Sequence, residues 1–465
     1  MGTVYAKSAL QNKDFKSVSK HSTMESKPLN LEEVKVRVDK VHIDGLKRTK
    51  DDIVKAQVTE LFNAHDFQDV VLKAHNVRAK LEALGCFKNI GIYIDTSQGP
   101  DATPEGVEVT FIVNEMKRLM GGIKTTVGNN EGSLMIGATA PNMFGRAERI
   151  QMEYSYSNKN STNFNVSIIK PIYSNRLQPI FTGSVFNASS EYPSSGYKQC
   201  DYGFLIDLAF NSIRAGALKH KFQYEAVIRE LSTSKQVAFT IREQCGFNLK
   251  SALKYICSID KRNETIFPSY GSLLQLTSEL AGLGGDIGFL KNEFLFQNNW
   301  LLLENIILQL GFQFGLMRGI NNDLKINIAD RFFLGGPLNI RGFETRSCGP
   351  CCDGDFMGGE IYWALGLHIY TPLPFRPGGF SSSDMFRLHG FINGGNLSNF
   401  TFKLRSTYEE NIKMFTKDFR LSFGAGVAMK LGNVARVELN FIIPYKIFKT
   451  DVFRQFQFGI GLQYL

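Results

Sequence analysis

The chain has 465 residues, a formal net charge of +9 and 43% hydrophobic residues. No part of it approaches a run of about 18 uncharged apolar residues, which excludes a transmembrane helix. The basic residues are spread along the chain without a dense cluster, which argues against a nucleic-acid site. The seven cysteines lack the spacing of a disulfide framework.

Two segments are predicted before residue 118. Residues 1–33 are polar and without a pattern, and we expect a flexible N-terminal tail. Residues 34–117 predict a compact α/β domain with a first strand, a helix capped by Thr49 and a second helix over about 69–84. Two strands follow, around residues 87–94 and 107–113. The predicted order of this domain is β-α-α-β-β.

Strict alternation of apolar and polar residues dominates from residue 118 to residue 465, and a period of two describes β-strands. In the clearest segment, one face holds Ile361, Trp363, Leu365, Leu367 and Ile369. Scanning this region gives about sixteen such segments of roughly 9–12 residues, the length that a tilted strand needs to cross a bilayer. The predicted fold class is mainly β, a 16-stranded transmembrane antiparallel β-barrel preceded by one small α/β domain.

The N-terminus bears on which membrane such a barrel occupies. Bacterial outer-membrane barrels reach the periplasm with a signal peptide, and the first 30 residues contain no apolar signal core and no Arg. This favours the outer membrane of a mitochondrion or plastid, which is entered from the cytosol.

The longest segment without a strand pattern is a loop at about residues 318–355. A loop of that length inside a compact barrel is functional or disordered. It contains Phe-Phe-Leu-Gly-Gly directly after Arg331, and then Ile340-Arg341-Gly342-Phe343. Near its end we expect free loop thiols, because the pattern there suits neither a redox motif nor a zinc site. These thiols belong to Cys348, Cys351 and Cys352.

Taken together, these features resemble the outer-membrane barrel-assembly superfamily, which includes bacterial BamA and the barrel subunit of the mitochondrial sorting and assembly machinery (SAM complex). The segments Ile43-Asp44-Gly45 and Leu84-Gly85-Cys86-Phe87 match turn positions of that family's polypeptide-transport-associated (POTRA) domain. The run Ile340-Arg341-Gly342-Phe343 matches the tip of its sixth loop, which folds back into the lumen. The resemblance covers about residues 36–465, and a single POTRA domain fits the mitochondrial member.

Odd and even positions of a strand face opposite sides of the sheet, and this alternation predicts which residues face Arg341 in the lumen. Glu360 and His368 share a face of the twelfth strand, and Asn393 lies on the lumen face of the next. In BamA-like relatives two carboxylates occupy the positions that match His368 and Asn393, so this sequence departs from the family pattern. We therefore expect Glu360 to supply the charge and Asn393 a neutral hydrogen bond. The alternative is that these are merely solvated lumen residues.

The first and last strands would meet at a seam. The first, at about residues 119–128, and the last, at about 455–464, must pair in a closed barrel, and glycine in strand interiors weakens pairing. An openable seam offers unpaired N–H and C=O groups to an incoming strand. The alternative is that the glycines make room for the loop. The candidate residues are Gly121, Gly122, Thr125 and Thr126 on the first strand, and Gln457, Gly459, Ile460, Gly461 and Leu462 on the last.

The last strand also resembles the family's β-signal, through Gln457, Gly459, Ile460 and Leu462. The resemblance implies a protein that folds and inserts β-barrel precursors by pairing their β-signal strand with the seam. The sequence contains no nucleophile, P-loop or metal motif in a suitable context, so we expect no enzymatic activity and no cofactor.

The resemblance further implies a mitochondrial outer-membrane location, with the POTRA domain in the intermembrane space. The implied partners are unfolded β-barrel precursors, metaxin-type peripheral subunits on the cytosolic side and the cristae-organising complex of the inner membrane. One alternative is a polypeptide-translocating pore of the same superfamily, with the lumen as the path. A metabolite porin is weaker, because it needs neither the N-terminal domain nor the long loop.

Overall fold

The computed structural model describes residues 3–8, 34–98, 100, 102–128, 131–172, 179–212, 218–234, 236–303, 305–320, 324, 326–373, 385–399, 418–432 and 434–465. Two compact units are present. The first takes in residues up to 121 together with 138–151 and 168–173, and the second holds 122–137, 152–167 and 174–465. The units therefore do not divide at residue 118. No helix in the described ranges combines the length and apolar character that a membrane crossing requires.

The first unit contains a four-stranded sheet and two helices. Along this sheet the strands are β1 (Thr3–Ser8), β2 (Arg37–Leu46), β4 (Gly106–Glu115) and β3 (Phe87–Thr96). Strand β2 is parallel to β1 and β4, and β3 is antiparallel to β4. The predicted β-α-α-β-β order, typical of a POTRA domain, is confirmed from β2 to β4. The elements are β1 (Thr3–Ser8), β2 (Arg37–Leu46), α1 (Asp51–Val58), a 3₁₀ turn (Thr59–Asn63), α2 (Phe67–Ala83), β3 (Phe87–Thr96) and β4 (Gly106–Glu115).

The tail predicted for residues 1–33 is wrong at its start, because Thr3–Ser8 forms strand β1. A six-residue strand at a sheet edge is held by backbone hydrogen bonds to β2, and six residues give too little alternation to predict it. Residues 9–33 of that segment lie outside the described residues.

Glu115, at the end of β4, fixes the turn between β2 and α1. Its carboxylate accepts hydrogen bonds from the backbone N–H groups of Lys47, Arg48 and Thr49 at 2.9–3.2 Å. The Thr49 hydroxyl donates to the same carboxylate at 2.7 Å. Thr49 therefore does not cap α1, whose N-cap residue is Lys50. Burial raises the pKa of Glu115, but these hydrogen bonds lower it more, to about 2.

Glu115→Gln is expected to destabilise the turn by about 2–3 kcal/mol at neutral pH, since the carboxylate form is favoured in the folded state. A depressed folded pKa contributes stability that is complete above the ordinary value of 4.5 and disappears as the pH falls toward about 2. Hydrogen–deuterium exchange of the Lys47–Thr49 amides, corrected for intrinsic rates, measures this. The exposed Glu105 provides the matched control, Glu105→Gln. Equal protection in both variants would contradict the assignment.

Sixteen antiparallel strands form the large sheet, which confirms the predicted barrel strands. Along the sheet the order follows the chain, so each strand pairs with its sequence neighbours. The strands are β5 (Met120–Gly128), β6 (Glu131–Pro141), β7 (Arg149–Ser157), β8 (Thr162–Pro171), β9 (Ile180–Tyr192), β10 (Tyr197–Asn211), β11 (Leu218–Thr233), β12 (Gly246–Asp260), β13 (Gly271–Ala281), β14 (Phe289–Leu303), β15 (Ile306–Gly319), β18 (Ile361–Pro372), β19 (Phe386–Ser398), β20 (Arg420–Leu431), β21 (Ala435–Lys446) and β22 (Phe456–Gly461).

Between β15 and β18 the chain leaves the sheet for its long inner loop. The loop carries a 3₁₀ turn (Ile328–Asp330) and a two-stranded ribbon of β16 (Cys351–Cys352) and β17 (Asp355–Phe356). A further 3₁₀ turn (Pro193–Ser195) and the short helix α3 (Phe239–Arg242) lie in other connections.

The two faces of the sheet differ as the sequence predicts. In β18, Leu365, Leu367 and Ile369 are exposed on one face, while Ala364 and His368 are buried on the other. The exposed apolar face is the one that suits lipid, and the buried face packs against the loop.

Candidate functional site: the inner loop and the last strand

The loop packs on the inner face of the barrel, with its motif residues fully buried. We call residues 326–336 the stem and residues 337–346 the tip. Ile340, Arg341 and Phe343 have no exposed surface, and Leu334 of the stem has none either. Arg341 is the largest fully buried side chain of the described residues. A guanidinium buried to this degree needs charge and hydrogen-bond partners.

Glu438 on β21 supplies that charge. The Arg341 guanidinium donates to both carboxylate oxygens, with Nε–Oε2 at 2.9 Å and Nη2–Oε1 at 3.2 Å. Both side chains have no exposure to solvent. A bidentate pair of this kind fixes both the position and the orientation of the tip.

The prediction that Glu360 supplies the charge is wrong. Glu360 directly precedes β18, where its backbone carbonyl accepts from Met317 and its charge acts on Arg331. It shares a face with His368, but eight residues of strand separate the two by about 26 Å. Alternation predicted the correct face of the strand but not the correct position along it.

The structure does bring His368 and Asn393 to Arg341. The Asn393 Oδ1 accepts from Arg341 Nη1 at 3.3 Å, and the His368 Nε2 lies 3.4 Å from the same nitrogen. The backbone carbonyl of Leu465 accepts at 3.4 Å, and the Ser422 hydroxyl donates to the carbonyl of Arg341 at 2.8 Å. The Arg341–Glu438 ion pair therefore has several hydrogen-bonding groups around it.

Glu438 has a second cation beside it. Arg436, two residues away on the same face of β21, contacts the Glu438 carboxylate and donates to the Tyr370 hydroxyl at 2.5 Å. Asn440 donates to Glu438 at 3.0 Å. The alternation of β21 already places Arg436, Glu438 and Asn440 on one face in the sequence, and this was the available signal for the partner of Arg341.

The tip is also bound to the last strand. Gln457 of β22 accepts from the Gly342 N–H at 2.9 Å, and its amide donates to the Phe343 carbonyl at 2.8 Å. The Leu465 N–H donates to the Leu338 carbonyl at 2.9 Å. Movement of the last strand must therefore break contacts with the tip.

The glycines of β22 lie against the tip. A Cβ at Gly459 would stand 2.7 Å from the Pro337 Cβ, and one at Gly461 would stand 2.7 Å from Leu338. Ile460 lies between them and pairs with Val437. Leu462 follows the end of β22, which is shorter than the predicted strand at 455–464. Beyond it the chain turns inward, and Tyr464 and Leu465 are buried.

The first strand has more open surroundings. Thr126 of β5 shares a 2.6 Å hydrogen bond with Ser133 of β6. A Cβ at Gly122 would meet no atom within 4 Å. Gly121 and Thr125 lie on β5 and are exposed. The strand thus lacks the packing that surrounds the glycines of β22.

The sheet order places β5 at one end and β22 at the other. In the part of the chain that the structure describes, no ladder joins these two strands, which differs from the pairing that a closed barrel predicts. The short β22 and the inward turn of the residues after it account for the difference.

The cysteines of the loop are free, as are the other four of the chain. Cys348 is buried and lies against Gly335, whereas Cys351 and Cys352 are partly exposed in the ribbon. Within the described residues, no cluster of His, Cys, Asp or Glu has the arrangement of a metal site.

Comparison with known proteins gives consistent matches. Residues 142–464 match the Omp85 superfamily domain. The chain is 40% identical over the full length of both chains to sorting and assembly machinery component 50 homolog from Xenopus tropicalis, and 39% identical, again over both full lengths, to the Homo sapiens homolog. BamA from Haemophilus ducreyi, solved without POTRA domains 1–3, has a similar fold with a TM-score of 0.75 and 18% identity, covering 91% of this chain and 84% of that one.

Proposed function

Because the chain belongs to the Omp85 superfamily and, within it, to the family of sorting and assembly machinery component 50 homologues, we propose that it assembles β-barrels at a lateral seam. This family consists of non-enzymatic assembly and translocation proteins of outer membranes. In the proposed mechanism, the β-signal strand of a precursor pairs with the edge of β5, and β22 moves away to admit it.

The observation that carries this proposal is the pair of strand edges at the two ends of the sheet. An edge strand presents a row of backbone N–H and C=O groups that can pair with another chain. Addition of a strand to such an edge gives affinity through main-chain hydrogen bonds. Of the two ends, β22 is held from inside by the tip, whereas among the described residues a Cβ at Gly122 of β5 would meet no atom within 4 Å. We therefore assign the first pairing to β5.

The driving force requires no nucleotide. An unpaired backbone group in hydrocarbon costs several kcal/mol, so a precursor hairpin is strongly favoured once its strands pair and its apolar face meets lipid. The seam lets strand pairing and entry into lipid occur together. Gln457, Gly459, Ile460 and Leu462 form this chain's own β-signal, of the same kind as the one it would bind in a precursor.

The proposal includes a place and partners. The barrel lies in the mitochondrial outer membrane, with the POTRA domain in the intermembrane space, where it meets unfolded β-barrel precursors. Metaxin-type subunits on the cytosolic side and the cristae-organising complex of the inner membrane are the further proposed partners. The names of the relatives support an assembly machinery in general.

The second candidate is a polypeptide-translocating pore with the lumen as its path. The seating of the loop speaks against it, because Ile340, Arg341 and Phe343 are buried on the inner face of the barrel. A loop in this position obstructs passage through the lumen, and reconstituted protein is expected to conduct little current.

The test is disulfide trapping between β5 and a precursor. Cysteines are placed one at a time along β5, at Thr125 and Thr126 among others, in a chain stripped of its seven native cysteines. An imported precursor carries one cysteine in its last strand. Crosslinks at every second residue, shifting together with the precursor cysteine, are expected because alternate residues of paired strands share a face.

Two controls separate the alternatives. A precursor without its terminal strand should give no crosslinks at β5. A cysteine that replaces Glu360 detects a precursor inside the lumen. Crosslinks found only there would support the pore and contradict assembly at the seam. Crosslinks at β5 without a two-residue period would contradict strand pairing.

A further inference from the structure

The stem of the loop has an ion-pair site of its own, on a different part of the barrel wall from that of Arg341. Asp330, in the 3₁₀ turn of the stem, is 5% exposed. Its carboxylate accepts from Arg229 of β11 at 3.0 Å and lies 3.2 Å from Lys250 of β12. Lys291 of β14 donates to its backbone carbonyl at 3.0 Å. Three cationic side chains from three strands thus hold one loop residue.

The two sites have opposite polarity. In the tip, the loop supplies the cation and the wall supplies the anion, as Arg341 and Glu438. In the stem, the loop supplies the anion Asp330 and the wall supplies the cations. Neither loop residue can therefore pair favourably in the other site, and the loop can seat in one register only.

At both sites, the charged residues of the barrel strands keep an oppositely charged partner when the loop residue leaves. Without Asp330, Arg229 keeps Asp201 at 3.2 Å and Lys250 keeps Glu279 at 2.7 Å. Without Arg341, Glu438 keeps Arg436. A buried charge that loses every partner is strongly unfavourable, and a retained partner lowers the cost of release. For the tip, the contact between Arg436 and Glu438 therefore lowers the cost of release and return.

The two sites differ in their relation to the seam. The tip binds residues of β22 and of the chain that follows it, through Gln457 and Leu465. The charged partners of Asp330 lie on β11, β12 and β14, which are in the middle of the sheet and far from either edge. Opening at β22 must disturb the tip, whereas the strands that supply the charged partners of Asp330 are not neighbours of β22.

We propose that Asp330 is a positioning residue that holds the stem as a fixed pivot, while the tip seats and unseats with the last strand. The function of the pivot during assembly rests on the proposed seam, whereas the independence of stem and tip does not. The stem retains the loop inside the barrel when the tip is released, so that the tip can return after each precursor.

Trypsin distinguishes the two parts, because it can cut after Arg331 in the stem and after Arg346 in the tip. With the purified full-length chain in detergent micelles, Asp330→Asn is expected to speed cleavage after Arg331 by about tenfold or more and to leave Arg346 protected, since a removed buried pair is strongly destabilising. Arg341→Gln is expected to give the reverse pattern. Mass spectrometry of the fragments assigns each cut.

Three variants keep the result interpretable. Asp353→Asn makes the same change at an exposed position of the same loop and should match the wild type. Asp330→Glu keeps the charge and should restore protection of the stem. If Asp330→Asn fails to fold, Arg229→Gln tests the site from the wall and should also expose Arg331. Identical patterns for Asp330→Asn and Arg341→Gln, or no change at Arg331, would overturn the pivot.

The pivot in action is tested with wild-type protein holding a precursor arrested at the seam. Cleavage after Arg346 is expected to rise while Arg331 stays protected. Cleavage at both positions would contradict the proposed pivot without contradicting the proposed function at the seam. Protection at both positions, in a sample that also lacks crosslinks at β5, would instead count against the proposed function.

Discussion

Arg341→Gln is expected to unseat the tip and to reduce assembly of barrel precursors by about tenfold or more, as loss of a buried ion pair costs about 3–5 kcal/mol. The substitution keeps much of the side-chain volume and removes the charge that Glu438 binds through two hydrogen bonds. We expect the lower end of that range, because Arg436 remains beside Glu438. Even so, about 3 kcal/mol changes the ratio of seated to free tip by more than a hundredfold.

Two measurements report this change separately. The buried Cys348 thiol should resist maleimide in the wild type and react in Arg341→Gln, because it belongs to the same buried cluster as Ile340 and Phe343 of the tip. Precursor assembly is followed in mitochondria that carry each variant. Arg318→Gln, at an exposed position of β15, is the matched control. A variant with unreactive Cys348 and normal assembly would show that Arg341 is not needed to seat the tip.

Arg341→Lys separates charge from geometry. A lysine keeps the charge but cannot donate two parallel hydrogen bonds to Glu438, nor reach Asn393 with the same fork. We expect Cys348 to react at a rate between those of the wild type and Arg341→Gln. Full protection with lysine would mean that charge alone seats the tip.

Much of the fold follows from the period of the sequence. Strand β18 is an example, because its apolar residues recur at every second position and the structure exposes that face. Strand number and antiparallel order follow in the same way, since each strand pairs with its neighbour in the chain. Local alternation therefore contains almost all the information that this sheet requires.

Contacts across the lumen could not be predicted in the same way. Alternation predicts which face of the sheet Glu360 and Glu438 occupy. It does not predict how deeply the tip enters the lumen or which strand faces Arg341. These depend on the stagger of sixteen strands and on the path of the loop. The cations around Asp330 were missed for the same reason, because Arg229 and Lys250 lie on separate strands and about 80 residues or more before it.

The glycines of the two edge strands have different surroundings. At Gly459 the absence of a side chain is required by the Pro337 Cβ of the tip, and at Gly461 a Cβ would displace the end of the Leu338 side chain. At Gly122 no neighbour requires it. The sequence left open whether glycine makes room for the loop or weakens the seam, and the surroundings favour a different interpretation for each strand.

Gly459→Ala is therefore expected to displace the tip, whereas Gly122→Ala is not. The new methyl group at residue 459 would stand 2.7 Å from the Pro337 Cβ, which is fixed to the backbone and cannot rotate away. Tryptic cleavage after Arg346 should rise by about tenfold, as overpacking of a tight contact costs about 1–3 kcal/mol. Gly390→Ala, where a Cβ meets nothing within 4 Å, should behave as the wild type.

Gly122→Ala tests the seam with the same chemical change. Alanine in a strand interior is favoured over glycine by about 0.5–1 kcal/mol, so β5 should hold its paired state longer and release an assembled precursor about two- to fivefold more slowly. Cleavage of the tip should stay at the wild-type rate. If Gly122→Ala instead exposed the tip, or Gly459→Ala left it protected, the separate purposes assigned to the two strands would be wrong, and glycine at both edges would have to act through one shared property of the seam.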